Sequence, residues 1–256
     1  MNKTVKYILA IFTATAIAVY LLMAFVFVDN KKQALVCKNI NINIDNDEFS
    51  FIDANNIKTI LMNCGEKIIG ERLDKINTYK LKQILSKNNA IKSINVFTTI
   101  DANLNVEIKQ RHPILRIQCE NLRCYIDDTG YIFPLLPKPN LEIPIVTGTI
   151  SAPLRNGFSG YIPENGKFLN QLYEFAVFLK KDAFWNNMIE QVNITNNKIE
   201  IIPQIAGHVV KLGSLDNFRS KLSKLQKFYK NAMPAIGWDK YKTINIEYKN
   251  QIICKK

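Results

Sequence analysis

The sequence offers few residues that could carry out acid–base or nucleophilic chemistry. It contains two histidines, His112 and His208, and so few histidines limit both metal sites and catalytic triads. Asp127 and Asp128 are adjacent, so their side chains point apart in a strand or a turn and do not form a catalytic carboxylate pair. The run Gly-Phe-Ser-Gly at 157–160 lacks the spacing of a nucleophile elbow. We therefore interpret the histidines as structural and predict no catalytic, metal-binding or cofactor-binding residues.

The cysteines are the second group that could react. There are five of them, so at least one thiol is left without a partner in the chain. Cys119 and Cys124 flank four residues between two strand-like runs, and a four-residue hairpin loop would place them directly opposite each other, within reach of a disulfide. Free thiols are the alternative, whereas C-x4-C is a poor zinc spacing. The pair Cys119 and Cys124 is therefore a candidate disulfide.

An apolar run near the amino terminus determines the compartment in which these residues work. Residues 8–28 form a stretch of 21 residues without a charge, which as a helix would span roughly 31 Å and cross the hydrocarbon core of a bilayer. Ala16-Ile17-Ala18 also resembles a signal-peptide cleavage site, but the run is longer than a usual signal core. We predict an uncleaved transmembrane helix over residues 8–28, preceded by a cytoplasmic tail of residues 1–7.

The orientation of this helix follows from size, because the flanking charges are nearly even. A head of seven residues is too small to be the functional part, so residues 29–256 are predicted to lie in the periplasm, as in a single-pass type II protein of the inner membrane. The chain has a net charge of +12, and residues 29–256 carry +10 of it, which would then meet solvent, anionic cell-wall polymer or lipid headgroups. We expect no nucleic acid and no small-molecule substrate.

Residues 29–111 are predicted to form a small module with the element order β-α-α-β-β. The first strand alternates isoleucine with asparagine over residues 39–44. Two short amphipathic helices follow, the first capped by Asp53 and the second opening at Thr78. A hairpin then turns at residues 101–103. A three-stranded sheet with two helices on one face fits this order.

Residues 112–256 are predicted to form a larger mixed β-domain with an antiparallel sheet and packed helices. One helix carries an apolar stripe of Phe168, Leu172, Phe175 and Leu179, and a hairpin turns at Asn196-Asn197. A second helix, capped by Ser214, buries Phe218, Leu222, Leu225 and Tyr229 and turns Arg219, Lys221, Lys224, Lys227 and Lys230 to solvent. With 47% hydrophobic and 22% charged residues, the chain is not disordered, and its fold class is α+β.

These elements resemble the FtsQ/DivIB family of cell-division proteins. The order β-α-α-β-β is that of a POTRA domain, and Gln110-Arg111-His112-Pro113 stands where the family has Glu-Arg-x-Pro. Residues 125–133 (YIDDTGYIF) resemble the family's (Y/V)-(V/I)-D-x-x-G-x-x-F. Residues 143–148 (IPIVTG) are similar to L-P-x-(L/V)-x-G. Because Gln110 replaces an acidic residue and two prolines of the family's hairpin are absent, the chain is identified as a divergent member.

The resemblance also indicates a binding surface for partner proteins. Ile244, Asn245, Ile246, Glu247 and Tyr248 resemble the family's (I/V)-D-(L/M)-R-Y. In that family the last strands dock the small coiled-coil division proteins FtsB and FtsL, and an exposed strand edge can accept a partner strand. The residues predicted to bind the partner are therefore 244–248. Glu247 reverses the family's charge, which implies a differently charged partner. The alternative is an ordinary strand whose edge is covered by residues 251–254.

The resemblance implies a non-catalytic scaffold of the divisome, located at the division septum. An enzyme of a different class, anchored in the membrane and acting on cell-wall polymer, stays an alternative because catalytic residues can lie far apart in sequence. A POTRA-type chaperone or receptor for envelope proteins is the other alternative. Residues 112–256 show neither a second β-α-α-β-β order nor a run of barrel strands.

Overall fold

The computed structural model describes residues 11–24, 35–45, 51–136, 141–196, 198–205 and 207–256. The chain forms two compact units, residues 1–110 and 111–256, and each has its own sheet. The fold class is α+β, with a small first unit and a larger second unit built on a broad sheet.

A helix over residues 11–24, α1, is the first described element, and its large apolar side chains are exposed. Among the described residues, no helix is both long enough and apolar enough to cross a membrane. The predicted transmembrane helix over 8–28 includes residues 8–10 and 25–28, which lie outside the described residues, as does the predicted tail of residues 1–7.

The first unit follows the predicted order β-α-α-β-β. Its elements are β1 (Asn39–Ile44), α2 (Ala54–Met62), a short 3-10 turn (Leu73–Lys75), α3 (Thr78–Leu85), β2 (Ile91–Thr98) and β3 (Asn103–Gln110). The strand order is β1-β3-β2, with β1 parallel and β2 antiparallel to the central β3. The two helices lie in the connection between β1 and the β2–β3 hairpin. A long connection of this kind is what the parallel pairing of β1 with β3 requires.

Both helices of the first unit begin at a side-chain cap. Asp53 Oδ1 accepts a hydrogen bond from the backbone N–H of Asn55 at 3.3 Å, and Asn77 Oδ1 accepts one from that of Lys80 at 2.9 Å. Such caps satisfy backbone donors that have no partner within the helix. The predicted cap at Asp53 is confirmed, and α3 begins at Thr78 as predicted.

The core of the first unit lies between the helices and one face of the sheet. Strand β3 alternates fully buried Leu104 and Val106 with half-buried Asn105, the period of two expected for a strand with one face in a core. On the helical side, Ile57 of α2 and Leu81 of α3 are fully buried.

The second unit is built on ten strands and three helices among its described residues. These are β4 (Pro113–Gln118), β5 (Arg123–Asp127), β6 (Tyr131–Pro134), β7 (Ile145–Gly148), β8 (Gly160–Tyr161), α4 (Lys167–Lys181), β9 (Ile189–Thr195), β10 (Lys198–Pro203), β11 (Val209–Gly213), α5 (Phe218–Asn231), α6 (Met233–Ile236), β12 (Thr243–Asn245) and β13 (Ile253–Lys255). The sheet order is β13-β12-β11-β10-β9-β7-β4-β5-β6-β8.

This sheet is mixed, so the prediction of an antiparallel sheet is only partly correct. The pairs β4–β7, β7–β9 and β11–β12 are parallel, and the others are antiparallel. Each parallel pair is joined by a long connection, and those between β7 and β9 and between β11 and β12 contain helices, as parallel pairing requires. The predicted hairpin at Asn196-Asn197 is present as β9–β10.

Helices α4 and α5 bury apolar stripes in the core of the second unit. Phe175 of α4 and Phe218 of α5 meet edge to face, with ring centroids 5.2 Å apart. The predicted stripes are confirmed except at Phe168, which is half-buried while its neighbour Leu169 is fully buried. The prediction of Ser214 as a cap is wrong, because α5 begins after Asn217.

Candidate functional site

The strand predicted to bind a partner lies inside the sheet and not at its border. Strand β12 pairs with β11 on one side and with β13 on the other. Ile244, in its middle, lies between Val210 and Cys254 and is fully buried. The prediction that β12 is an edge strand is therefore wrong, and the arrangement matches the alternative in which the closing residues cover it. The sequence hides this because β13 is only three residues long.

The rest of the predicted binding segment leaves the sheet after Asn245. Ile246 is fully buried, and its N–H donates to the carbonyl of Lys211 at 3.0 Å. Glu247 is half-buried and forms an ion pair with Lys198 at 2.5 Å. Tyr248 is the most accessible of the five residues, with 48% of its surface exposed. The segment thus joins two strands and offers one aromatic side chain to solvent.

Two lysines of α5 bind backbone carbonyls, and one of them, Lys224, holds this segment in place. Lys224 Nζ donates to the carbonyl oxygens of Ile246 at 3.2 Å and Gln251 at 3.0 Å, and also to that of Tyr248. Lys221 binds carbonyl oxygens at the end of β11 in the same way. Burial lowers the pKa of both ammonium groups. The prediction that these two lysines form a solvated face is wrong, since a period of 3.6 places a lysine on the polar side of a helix but does not show what its long stem reaches.

The border of the sheet next to β12 is formed by β13. Among the described strands none pairs with the outer side of β13. Ile253 is 38% exposed and Lys255 is exposed, whereas Cys254 is half-buried and burial raises the pKa of its thiol. The other border strand, β8, has two residues, one of them the exposed Tyr161. A main-chain partner for this sheet would therefore meet β13 at this end.

A buried ion pair joins two of the sequence motifs. Arg111 Nη1 donates to Asp127 Oδ2 at 2.8 Å, and Asp127 is fully buried. The other carboxylate oxygen accepts hydrogen bonds from the N–H groups of Thr129 and Tyr131, each at 2.9 Å, and from the Thr129 hydroxyl at 2.6 Å. The Arg111 guanidinium lies 3.4 Å from the centroid of the Tyr131 ring. Since both oxygens of Asp127 are bound, this carboxylate orders the β5–β6 turn.

Cys119 and Cys124 are both buried and both free. The β4–β5 register places Ile117 opposite Cys124, and Cys119 N–H donates to the carbonyl of Leu122 across a tight turn. The two cysteines are thus diagonal neighbours, about 7–8 Å apart in such a ladder, and a disulfide needs a shorter Cα distance. The prediction of a disulfide is wrong in this structure. Burial raises the pKa of Cys119 to about 11 and that of Cys124 to about 12, so both thiols stay protonated at neutral pH.

The two histidines differ in their surroundings. His208 is buried, and its Nε2 lies 2.5 Å from the hydroxyl of Tyr229, while burial lowers the pKa of His208 and raises that of Tyr229. The carbonyl of His112 accepts a hydrogen bond from the N–H of Asp128 at 3.0 Å. Within the described ranges, no group of three or more histidine, cysteine or acidic residues is arranged to hold a metal ion.

Comparison with known proteins defines the class. Residues 112–255 match the family model described as FtsQ/DivIB, C-terminal related, and residues 35–109 match a POTRA-like domain. The chain therefore belongs to the FtsQ/DivIB family, which confirms the resemblance seen in the sequence motifs. A curated relative, the cell division protein FtsQ of Geotalea daltonii (strain DSM 22248 / JCM 15807 / FRC-32), is 27% identical over 195 residues, which are 75% of this chain and 66% of the relative. The matched region spans slightly less than two thirds of the length of this relative.

Proposed function

We propose that this protein is a non-catalytic scaffold of the divisome that recruits small coiled-coil division proteins of the FtsB and FtsL type by strand pairing. The family match over residues 112–255 carries the proposal, because it covers the whole sheet that would present the docking edge. The domains we assign are the tail 1–7, the anchor 8–28, the POTRA domain 29–111 and the β-domain 112–256.

The anchor would hold the protein in the inner membrane, with residues 29–256 in the periplasm at the septum. Two observations support it. Residues 8–28 are uncharged, and the apolar side chains of α1 find no protein core and are exposed. A helix that is apolar on all sides suits a bilayer, where the lipid tails take the place of the core.

The docking edge would be β13 together with the loop that leads into it. An incoming strand would pair with the outer backbone groups of β13, and Ile253 and Tyr248 would contact its side chains. Residues 244–248 would support this edge in different ways: Ile244 and Asn245 pair with β13 inside the sheet, Ile246 is buried just after β12 ends, and Glu247 and Tyr248 belong to the loop.

The proposal includes no catalytic step, because the buried side chains that could act as an acid or a base already bind other groups of the protein. Asp127 has hydrogen-bond donors on both oxygens, and His208 is buried against Tyr229. A general acid or base must reach a substrate proton, and neither side chain can do so in this arrangement.

Depletion in cells tests the role, and a charge on the docking edge tests the surface. Depletion should produce filaments without septa, whereas normal division in depleted cells would contradict the proposed role in the divisome.

The variant Ile253→Glu should lose co-purification of the coiled-coil partner, because a charge on an edge strand opposes pairing. Tyr161→Glu, on the border strand β8, is the matched control and should retain the partner.

The position of the substitution decides whether this test is clear. Ile246 is fully buried, so a charge or a proline there would test folding and not docking. Ile253 is exposed, and its replacement should leave the circular dichroism spectrum unchanged. Retention of the partner by a folded Ile253→Glu variant would show that β13 is not the docking edge.

A further inference from the structure

Four strands border the two sheets in the described part of the chain, and three of them are short, charged or irregular. Strand β8 has only two residues, and β13 has three and carries Lys255. Strand β2 carries Lys92 and a register shift between Ile91 and Ser93. Short length, lysine and bulges are devices that keep sheet edges from joining other sheets indiscriminately, so an edge such as β13 would accept only a partner strand that complements its charge.

The fourth border strand, β1, has none of these devices. It is six residues long, its sequence is NININI, and its register with β3 is unbroken. It contains no charged residue, no proline and no glycine. Such an edge is a site where another strand adds, because the unpaired backbone groups and the alternating side chains continue the sheet.

The backbone next to β1 leaves this edge open. Residues 35–37 are bonded to residues 70–73, through Cys37 N–H to the carbonyl of Glu71 at 2.8 Å and Leu73 N–H to that of Leu35 at 3.0 Å. These bonds end before Asn39, and no described strand pairs with the outer side of residues 39–44. Ile40, Ile42 and Ile44 point toward the core side but stay half-buried, which is the exposure expected where a neighbouring strand is missing.

We propose that β1 pairs with β1 of a second copy of this chain in antiparallel orientation, centred on Ile42. In this register Ile42 faces its own counterpart, Ile40 faces Ile44, and Asn41 faces Asn43. Every isoleucine meets an isoleucine and every asparagine an asparagine, so one surface serves both partners, as a two-fold interface requires. The two three-stranded sheets then form one sheet of six strands.

The charges that flank β1 select this orientation and this partner. Exposed Lys38 precedes the strand and exposed Asp45 follows it. Antiparallel pairing brings the cationic end of one copy to the anionic end of the other, whereas parallel pairing would align like charges. The strand itself is neutral in a chain of net charge +12, so copies can approach there without the repulsion that the basic surfaces cause.

The asparagine side chains extend the match. Asn41 Nδ2 already donates to Asn105 Oδ1 at 3.2 Å across the parallel pair. An amide carries both donors and an acceptor, so Asn41 can also bond to Asn43 of the second copy on its other side. The row of amides on the open face of the sheet would thus run through the interface.

Sedimentation of the full-length chain in detergent tests the association. The wild-type chain should sediment as a dimer. Asn41→Lys combined with Asn43→Lys places two pairs of like charges opposite each other and should raise the dimer dissociation constant about tenfold or more. Asn95→Lys adds a lysine to the same exposed face, but on β2 next to Glu107, and should leave the dimer intact. A monomeric wild-type chain, or a double variant that dimerises as the wild type does, would overturn the proposal.

Oxidative cross-linking in intact cells tests the register. A cysteine at Ile42→Cys lies opposite its own counterpart and should form a dimer on mild oxidation. A cysteine at Ile40→Cys faces residue 44 of the second copy and should give no more cross-linking than the wild-type chain, whose own five cysteines set the background. Equal yields at the two positions, or none at Ile42→Cys, would contradict the pairing.

Discussion

Removing the carboxylate of Asp127 should destabilise the second unit strongly. Asp127 is fully buried, binds the guanidinium of Arg111 at 2.8 Å and accepts three further hydrogen bonds from Thr129 and Tyr131. The variant Asp127→Ala leaves the Arg111 charge, of which only about a tenth of the side chain is exposed, without its partner. It also leaves two N–H groups of the β5–β6 turn without an acceptor.

The expected cost follows from the state of the remaining partner. Breaking a buried ion pair by removing one member typically costs ~3–5 kcal/mol, because the other charge stays buried. For a unit of this size, that corresponds to a fall in melting temperature of roughly 10 °C or more. Arg111→Met should cost less than Asp127→Ala, since the carboxylate then keeps the three hydrogen bonds from the turn.

The assay must separate the two units of the chain. Hydrogen exchange detected by mass spectrometry during thermal unfolding measures the stability of β4, β5 and β6 separately from that of the first unit. Glu120→Ala is the control, because it removes an exposed carboxylate from the β4–β5 turn of the same unit and should change stability by only about 0.5 kcal/mol or less.

Two results would refute this reasoning. If Asp127→Ala is no less stable than Glu120→Ala, the buried pair does not order the turn. If Arg111→Met costs more than Asp127→Ala, the charge of Arg111 acts through something other than this carboxylate, and its position 3.4 Å from the Tyr131 ring becomes the main candidate.

Three further predictions follow from single contacts. Gly148→Ala should lower the melting temperature sharply because its Cβ would collide with the backbone of Ile194 at a φ of +94°, whereas Gly157→Ala, also at positive φ but in open space, should cost far less. Lys224→Met should cost ~1.5–3 kcal/mol in chemical denaturation and speed hydrogen exchange in residues 246–255, because three carbonyls lose a cationic donor. Stability should fall as the pH drops below about 6.5, because unfolded His208 takes up its proton before the folded residue, whose pKa burial lowers; a pH series of melting temperatures should lose this slope in His208→Gln.

The sequence predicts which face of a strand is buried better than it predicts which strands lie beside it in the sheet. Alternation over residues 39–44 and 243–248 correctly separates buried from exposed side chains at most positions, because a strand has a period of two. Alternation does not reveal which strand pairs with either edge, so the sequence predicts β12 at the border although β13 covers it. A three-residue strand has too few residues to show a period.

The cysteine pair shows a second limit. The spacing of Cys119 and Cys124 fits a four-residue loop, but β4 and β5 continue pairing up to Gln118 and Arg123 and close on a tighter turn. A register shift of two residues changes directly opposite positions into diagonal ones on the same face of the sheet. Loop length cannot be read from the cysteines alone, because the strand residues on either side decide where pairing stops.

The ion pair between Glu247 and Lys198 changes the interpretation of the most divergent motif. Glu247 stands where the family has a basic residue, and from the sequence this reversal implies a partner of different charge. In the structure the Glu247 carboxylate faces Lys198 of β10 at 2.5 Å, so the chain itself supplies the opposite charge. An exposed pair of this kind adds little stability, but it removes the carboxylate from the set of groups that a partner must match. The charge that a strand on β13 would meet is instead that of Lys255 and of Lys249 in the preceding loop, both exposed. The reversed residue therefore leaves the proposed docking edge basic, as it would be with a basic residue at position 247, and acidic side chains on a partner strand would complement it.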